Sequence, residues 1–153
     1  MHQNIYKIRF GMMMIIVSKT HFSKIELASI QAYPFECCGA MLGTVLEDGS
    51  KTVLSCISLT NQSDEDQRRR FKITDDDYRF LEAKADDLKM TLLGFYHSHP
   101  DHPAVPSATD LNYAWPFFSY IIQSVYDGKP RDFKSFKLAL DKHEFVDEVL
   151  VLE

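Results

Sequence analysis

The stretch GFYHSHPDHPAVPSATD, residues 94–110, combines a histidine pair, three prolines and a Ser-x-x-Asp ending. The residues that lead into it, 91–99, are apolar enough to predict a buried strand. Side chains alternate between the two faces of a strand, so His97 and His99 point one way and Ser98 the other. A predicted strand therefore ends here with two imidazoles on one face.

The second half of this stretch predicts a stiff connection into a short helix. Pro100, Pro103 and Pro106 fix the backbone φ angle and exclude regular structure. The segment Ser107-Ala108-Thr109-Asp110 resembles a capping box, and the helix that it begins is expected to end near Trp115-Pro116. A strand, a proline-rich loop and a helix start in succession favour a fold that mixes helices and strands.

Working outward from this stretch, hydrophobic periodicity and turn residues predict helices interleaved with strands. We expect a single domain of the α/β (α+β) class, residues 12–153, preceded by an N-terminal extension, residues 1–11. One helix is expected over residues 20–33 and another from the N-cap Thr74 through Leu88. Strands are expected over residues 12–17, 40–46, 52–59, 118–126, 133–140 and, from a mixed pattern, 144–152, with a turn at 127–130.

Bulk composition limits the class of protein. The chain has 153 residues, a length typical of one domain, and its net charge of −5 argues against a nucleic-acid partner. The apolar run at residues 12–17 is too short to span a bilayer, so no membrane partner is expected. Three cysteines, two of them adjacent, do not form a disulfide framework. We therefore expect a cytoplasmic protein.

The histidine pair and the carboxylate that follows it have two interpretations. His97, His99 and Asp110 form a tripod that leaves a fourth position for water, the arrangement of a catalytic zinc ion, Zn²⁺. Alternatively the histidines are only hydrogen-bonded on a half-polar face, and Ser107 and Asp110 only cap a helix. A catalytic zinc also needs a general base, for which Glu36 at the entrance of an apolar strand is the candidate. A lone glutamate in such a position is more often simply exposed.

Five of these residues, in this order and spacing, resemble the motif of the JAMM (MPN-plus) zinc metalloproteases. The matching positions are Glu36, His97-Ser98-His99 and, after seven intervening residues, Ser107-x-x-Asp110. The surrounding residues resemble the small prokaryotic stand-alone branch of that family, at Pro34-x-Glu36-x-Cys38-Gly39, Asn61-Gln62-Ser63, Arg69-Arg70-Phe71, Gly94-Phe95-Tyr96 and Pro103-Ala104-x-Pro106.

The resemblance implies a role for each matched residue. His97, His99 and Asp110 would bind zinc, Glu36 would be the general base and acid, and Ser107 would donate a hydrogen bond to the oxyanion of the tetrahedral intermediate. It also implies a cytidine-deaminase-like fold, in which a mixed β-sheet is sandwiched by helices.

By the same resemblance, the expected function is that of a zinc-dependent isopeptidase or peptidase. It would use a zinc-bound water and the Glu36 base to hydrolyse amide bonds at the C-terminus of ubiquitin-like sulfur-carrier proteins with a Gly-Gly end. The leaving group (cysteine, peptide or lysine adduct) and the oligomeric state stay open. One alternative is a non-catalytic MPN scaffold, and another is a cysteine hydrolase that uses Cys37 or Cys38.

Overall fold

The computed structural model describes residues 13–139, 141 and 143–153. Helices and strands alternate along this part of the chain, and the predicted mixed α/β class is confirmed. The elements in chain order are β1 (Met14–Val17), α1 (Lys19–Ala32), β2 (Cys38–Val45), β3 (Lys51–Leu59), α2 (Asp75–Leu88), β4 (Thr91–Pro100), α3 (Ala108–Asn112), β5 (Ser119–Tyr126), β6 (Lys129–Ala139) and β7 (Glu144–Leu152).

The strands form one mixed sheet in the order β1-β3-β2-β4-β5-β6-β7, which closes on itself through parallel pairing of β1 with β7. Strand β4, which carries the histidines, lies between antiparallel β2 and parallel β5. All of β4 except its first residue is buried. A strand that is covered on both faces typically has a nearly continuous apolar sequence, and residues 91–99 fit this pattern.

Strand β4 separates two parts of the hydrophobic core. Tyr96 belongs to a cluster that includes Ile25 of helix α1, whereas Phe95 belongs to a cluster that includes Leu81 and Ala85 of helix α2. Burial of these apolar faces, at about 25 cal/mol per Å² of apolar surface, holds the helices on the sheet. Because side chains alternate along β4, the two histidines share the face of Phe95, and Ser98 shares the face of Tyr96.

Helix α2 begins where the sequence predicts. Thr74 is its N-cap and forms a capping box with Asp77, in which each side chain accepts a hydrogen bond from the other residue's backbone N–H. Three aspartates in the first turn favour the positive end of the helix dipole. Lys89 ends the helix in the left-handed conformation. This helix carries the chain back to the start of β4.

One predicted turn is wrong in its extent. The sequence favours a turn over residues 127–130, but Lys129 and Pro130 already belong to β6, with Pro130 opposite Val125. The turn consists of Asp127 and Gly128, both with positive φ, which is the two-residue hairpin turn that matches strand twist. Proline is tolerated here because it lies at the beginning of its strand.

Some predictions concern residues outside the described part of the chain. These are the N-terminal extension, residues 1–11, the first residue of the predicted strand 12–17, and Leu140. No helix among the described residues is long and apolar enough to cross a membrane.

Candidate metal centre

The start of helix α3 places one carboxylate oxygen in a fixed position. Ser107 is the N-cap, and its Oγ accepts a hydrogen bond from the Asp110 backbone N–H at 3.0 Å. In return, the Ser107 backbone N–H donates to Asp110 Oδ2 at 2.8 Å. This is the capping box that the sequence predicts, and it turns the Asp110 carboxylate back over the proline-rich loop.

The same carboxylate oxygen faces both imidazoles. Asp110 Oδ2 lies 3.3 Å from His97 Nε2 and 3.4 Å from His99 Nε2, and the two Nε2 atoms are 3.1 Å apart. A zinc ion bonded at about 2.0–2.1 Å to tetrahedral ligands separates those ligand atoms by about 3.3–3.4 Å. The three donor atoms therefore fit zinc in type and in spacing. The two interpretations of Asp110, helix cap and metal ligand, are compatible in one geometry.

The two histidine rings are oriented in different ways. His99 Nδ1 lies 2.8 Å from the Pro103 carbonyl oxygen, which accepts its hydrogen. The Nε2 atom of His99 is then free to face His97 and Asp110. The His97 ring stacks on Phe71, with ring centroids 4.4 Å apart and an interplanar angle of 25°. His97 Nδ1 finds no hydrogen-bond partner among the described residues. Stacking on Phe71, together with the contacts of Nε2, therefore orients this ring.

The carboxyl of Asp110 is ionised in this setting. Burial opposes its ionisation, but attraction to His97 and hydrogen bonds with both imidazoles and the Ser107 N–H hold its pKa well below the usual range. A permanently charged carboxylate beside two imidazoles is the donor set that a divalent cation requires.

Glu36 is buried, contrary to the usual state of a glutamate at a strand entrance. It is 5 % exposed and lies two residues before β2. Burial, together with the negative charge of Asp110, raises the pKa of Glu36 to about 9, against a smaller opposing effect of Arg70. In the described part of the chain the group of potential ligand atoms contains His97, His99 and Asp110 but not Glu36. Its carboxyl is close enough to Asp110 for that charge to raise its pKa, but it does not belong to the group of potential ligand atoms.

With this geometry established, comparison with known proteins is informative. Residues 18–139 match the family model of prokaryotic homologs of the JAB domain. The chain belongs to the prokaryotic JAB-domain family. The matched residues make up most of the chain and include all five positions of the predicted motif.

Several solved structures are similar to this chain. The chain is similar to a protein from Salinibacter ruber (42 % identity, TM-score 0.70, covering 90 % of each chain). It is also similar to one from Desulfitobacterium hafniense (30 % identity, TM-score 0.75, covering 92 % of this chain and 93 % of that one). A JAB1/MPN domain protein from Archaeoglobus fulgidus shares the fold, with 21 % identity, a TM-score of 0.55, and coverage of 88 % and 97 %.

One characterised relative is a desampylase from Haloferax volcanii. It is 33 % identical over 96 residues, which is 60 % of this chain. The matched region spans 63 % of the length of the desampylase.

The JAB domain also contains a loop, residues 60–73, that contacts both Glu36 and His97. Asn61 Nδ2 donates to the backbone carbonyls of Glu36, at 3.3 Å, and Arg70, at 2.9 Å. The Glu36 backbone N–H donates to the carbonyl of Gln67 at 2.7 Å. Residues 60–73 therefore hold Glu36 on one side and present Phe71 to His97 on the other. The sequence signal for this role lies in Asn61-Gln62-Ser63 and Arg69-Arg70-Phe71, which match the family without an evident chemical role.

The basic and acidic residues of this segment pair with each other. Arg68 contacts Asp66 at 3.1 Å, and Arg70 contacts Glu65 at 3.1 Å, in exposed ion pairs. Such pairs contribute little to stability. This charge run is a solvated mixed-charge loop. His102 is also exposed.

The two adjacent cysteines are poor nucleophile candidates in this JAB domain. Cys37 Sγ lies 3.6 Å from Ser29 Oγ of helix α1, on the side of β4 away from the histidine face. Burial raises the pKa of the Cys37 thiol, and it raises the pKa of Cys38 to about 12. Because the thiolate is the reactive form, these shifts disfavour either cysteine as a nucleophile near neutral pH.

Proposed function

We propose that this protein is a zinc-dependent isopeptidase or peptidase that hydrolyses the amide bond at the C-terminus of a ubiquitin-like protein. The observation that carries the proposal is the position of Asp110 Oδ2, 3.3 and 3.4 Å from the imidazoles of His97 and His99. A three-ligand site with an open fourth position is typical of catalytic rather than structural zinc. Membership of the JAB-domain family and similarity to a desampylase support the same activity.

Each of the five motif residues has a role in this proposal. His97, His99 and Asp110 bind the ion. When bound, zinc polarises the scissile carbonyl and lowers the pKa of water to about 7. Glu36 accepts a proton during attack and passes it to the leaving amine. Burial and the Asp110 charge raise the pKa of Glu36 to about 9 in the metal-free chain, and the positive charge of a bound cation would lower this pKa towards the neutral range that a general base needs.

Ser107 stabilises the oxygen of the scissile carbonyl. Its Oγ accepts the Asp110 N–H, so the hydroxyl hydrogen stays free to donate to the substrate. A single donor of this kind contributes about 3–4 kcal/mol to the transition state.

The substrate that we propose is a ubiquitin-like sulfur carrier with a Gly-Gly end. Strand β4 has neighbours on both sides, so a substrate tail cannot add to the edge of the strand that carries the histidines. The tail must instead pass over the sheet, between the segments that hold Glu36 and Ser107. Glycine suits such a passage because it lets the backbone approach the site closely. A cytoplasmic location, supported by three free cysteines, would bring enzyme and carrier together.

The proposal is tested with a ubiquitin-like carrier fused through its Gly-Gly end to a peptide, to cysteine or to a lysine side chain. We expect about one zinc per chain and cleavage after the second glycine, abolished by chelator and restored by zinc. Glu36→Gln is the matched inactive control, because it leaves the three ligands in place. Binding of the carrier without cleavage by zinc-loaded wild type would instead favour the MPN scaffold. Cleavage by metal-free protein would contradict zinc catalysis.

A further inference from the structure

Ser98 lies between the two histidines in sequence, and its side chain points to the opposite face of β4. It is fully buried, on the side of the sheet covered by helix α1. A metal site does not itself require a hydroxyl there. The contacts of that hydroxyl therefore need another explanation.

The hydroxyl of Ser98 contacts the segment that carries Glu36. The backbone N–H of Cys37 donates to Ser98 Oγ at 2.9 Å, and the backbone N–H of Ser98 donates to the Cys37 carbonyl at 3.2 Å. One residue further on, Cys38 lies opposite His97 in the β2–β4 pairing. The two hydrogen bonds between Cys37 and Ser98 extend the β2–β4 ladder by one residue. One of their acceptors is the Ser98 side chain, where a regular ladder would have a backbone carbonyl.

The backbone hydrogen bonds of Glu36 itself go to residues 60–73 and not to β4. The Glu36 N–H donates to Gln67, and its carbonyl accepts from Asn61, both in residues 60–73. Ser98 is the contact that fixes the peptide following Glu36 to the strand of the histidines.

We propose that Ser98 is a positioning residue that sets the place of Glu36 relative to His97 and His99. This inference rests on the proposed role of Glu36 as general base. Without the hydroxyl, the Cys37 N–H loses its acceptor inside the protein, and the Glu36 segment moves to satisfy it. A displacement of about 1 Å in a catalytic group lowers turnover by about 100-fold.

Two variants whose side chains match each other in shape provide the test. Ser98→Thr adds a methyl group and keeps the hydroxyl, whereas Ser98→Val adds the same methyl group and has a second methyl group where the hydroxyl was. Because Ser98→Thr leaves the Cys37 N–H its acceptor, we expect its kcat to stay within about threefold of wild type, whereas Ser98→Val lowers kcat about 10- to 100-fold. KM and zinc content should be unchanged in both, because the ligands and the substrate surface are untouched. Ser98→Ala removes the hydroxyl without adding volume and should behave as Ser98→Val does.

A second measurement is independent of turnover. In metal-free protein, amide hydrogen exchange of Cys37 should be fast in Ser98→Val and Ser98→Ala but protected in wild type and Ser98→Thr. Wild-type kcat in Ser98→Val and Ser98→Ala would overturn the inference, as would loss of zinc in both, which would make Ser98 a support of the ligands. If zinc-loaded wild type cleaves no carrier fusion, the proposed function fails. Unaltered Cys37 exchange in the variants would refute the Ser98 contact separately.

Discussion

Ser107 and Asp110 each accept a hydrogen bond from the backbone N–H of the other, at 3.0 and 2.8 Å. The Asp110 oxygen that completes this capping box is also the oxygen that faces the two imidazoles. The start of helix α3 and the candidate metal centre therefore share the Asp110 carboxylate. A substitution at either residue should change both the helix and the site, but to different extents.

Replacement of Ser107 by alanine should slow hydrolysis while retaining zinc. The Ser107 backbone N–H that orients Asp110 survives in Ser107→Ala, whereas the Oγ cap and the donor to the substrate oxygen are lost. We expect kcat to fall about 100- to 1,000-fold and the free energy of unfolding to fall by about 1 kcal/mol. Steady-state kinetics and urea denaturation measure the two effects. Ser107→Thr is the control that keeps both, and loss of zinc from Ser107→Ala would contradict the assignment.

Asp110→Asn should separate capping from metal binding. An asparagine side chain still offers an oxygen that accepts the Ser107 backbone N–H, but its neutral amide is a poor ligand for zinc. We expect zinc affinity to fall at least about 100-fold, measured by competition with a chromogenic chelator. Asp76→Asn removes an exposed carboxylate from helix α2 and should leave zinc affinity unchanged. Equal affinities in Asp110→Asn and wild type would remove Asp110 from the ligand set.

Glu36→Gln should stabilise the metal-free protein in a pH-dependent way. The pKa of Glu36 is about 9 in the folded chain and about 4.3 in the unfolded chain. Between these values the folded state keeps a proton that the unfolded state releases, so the free energy of unfolding falls as pH rises.

A glutamine side chain does not titrate, so its burial adds no pH-dependent cost to the free energy of unfolding. Urea denaturation in the presence of chelator should show Glu36→Gln more stable than wild type by about 5 kcal/mol at pH 8 and by little at pH 4. A constant difference across this range would mean that Glu36 is not buried as a protonated carboxyl.

Alkylation of thiols should not inactivate the enzyme at neutral pH. Burial raises the pKa of all three cysteines, to about 12 for Cys38 and about 11 for Cys56. Iodoacetamide should therefore label the folded protein at pH 7 much more slowly than the urea-denatured protein. Mass spectrometry measures the labelling, and turnover is followed in parallel. Loss of activity in step with labelling of Cys37 would revive the cysteine-hydrolase alternative.

Local sequence signals account for much of the fold. The N-cap Thr74 and three following aspartates determine the start of α2, and the Ser107 capping box determines the start of α3. Alternation along β4 correctly places the two histidines on one face. Each of these features depends on residues only a few positions apart, so a sequence pattern can reveal it.

Other features depend on contacts between distant residues. Closure of the sheet by β1 and β7 pairs Met14 with Val149, and no local pattern encodes a contact over such a separation. The burial of Glu36 depends on Asn61 and Gln67, which lie in a loop without periodicity. The family motif indicates that Glu36 belongs with the histidines, but it does not indicate the hydrogen bonds that hold it there.

The short helix α3 also gives the protein an optical reporter. Trp115 is the single tryptophan of the chain and follows Asn112, the last residue of α3, by three positions. Its indole is largely exposed, and its backbone N–H donates to the Tyr120 hydroxyl at 2.7 Å. Since Asp110 belongs to the helix that Trp115 follows, an ion that binds this carboxylate should alter the surroundings of the fluorophore. Tryptophan emission should then follow zinc loading in real time, without any added dye.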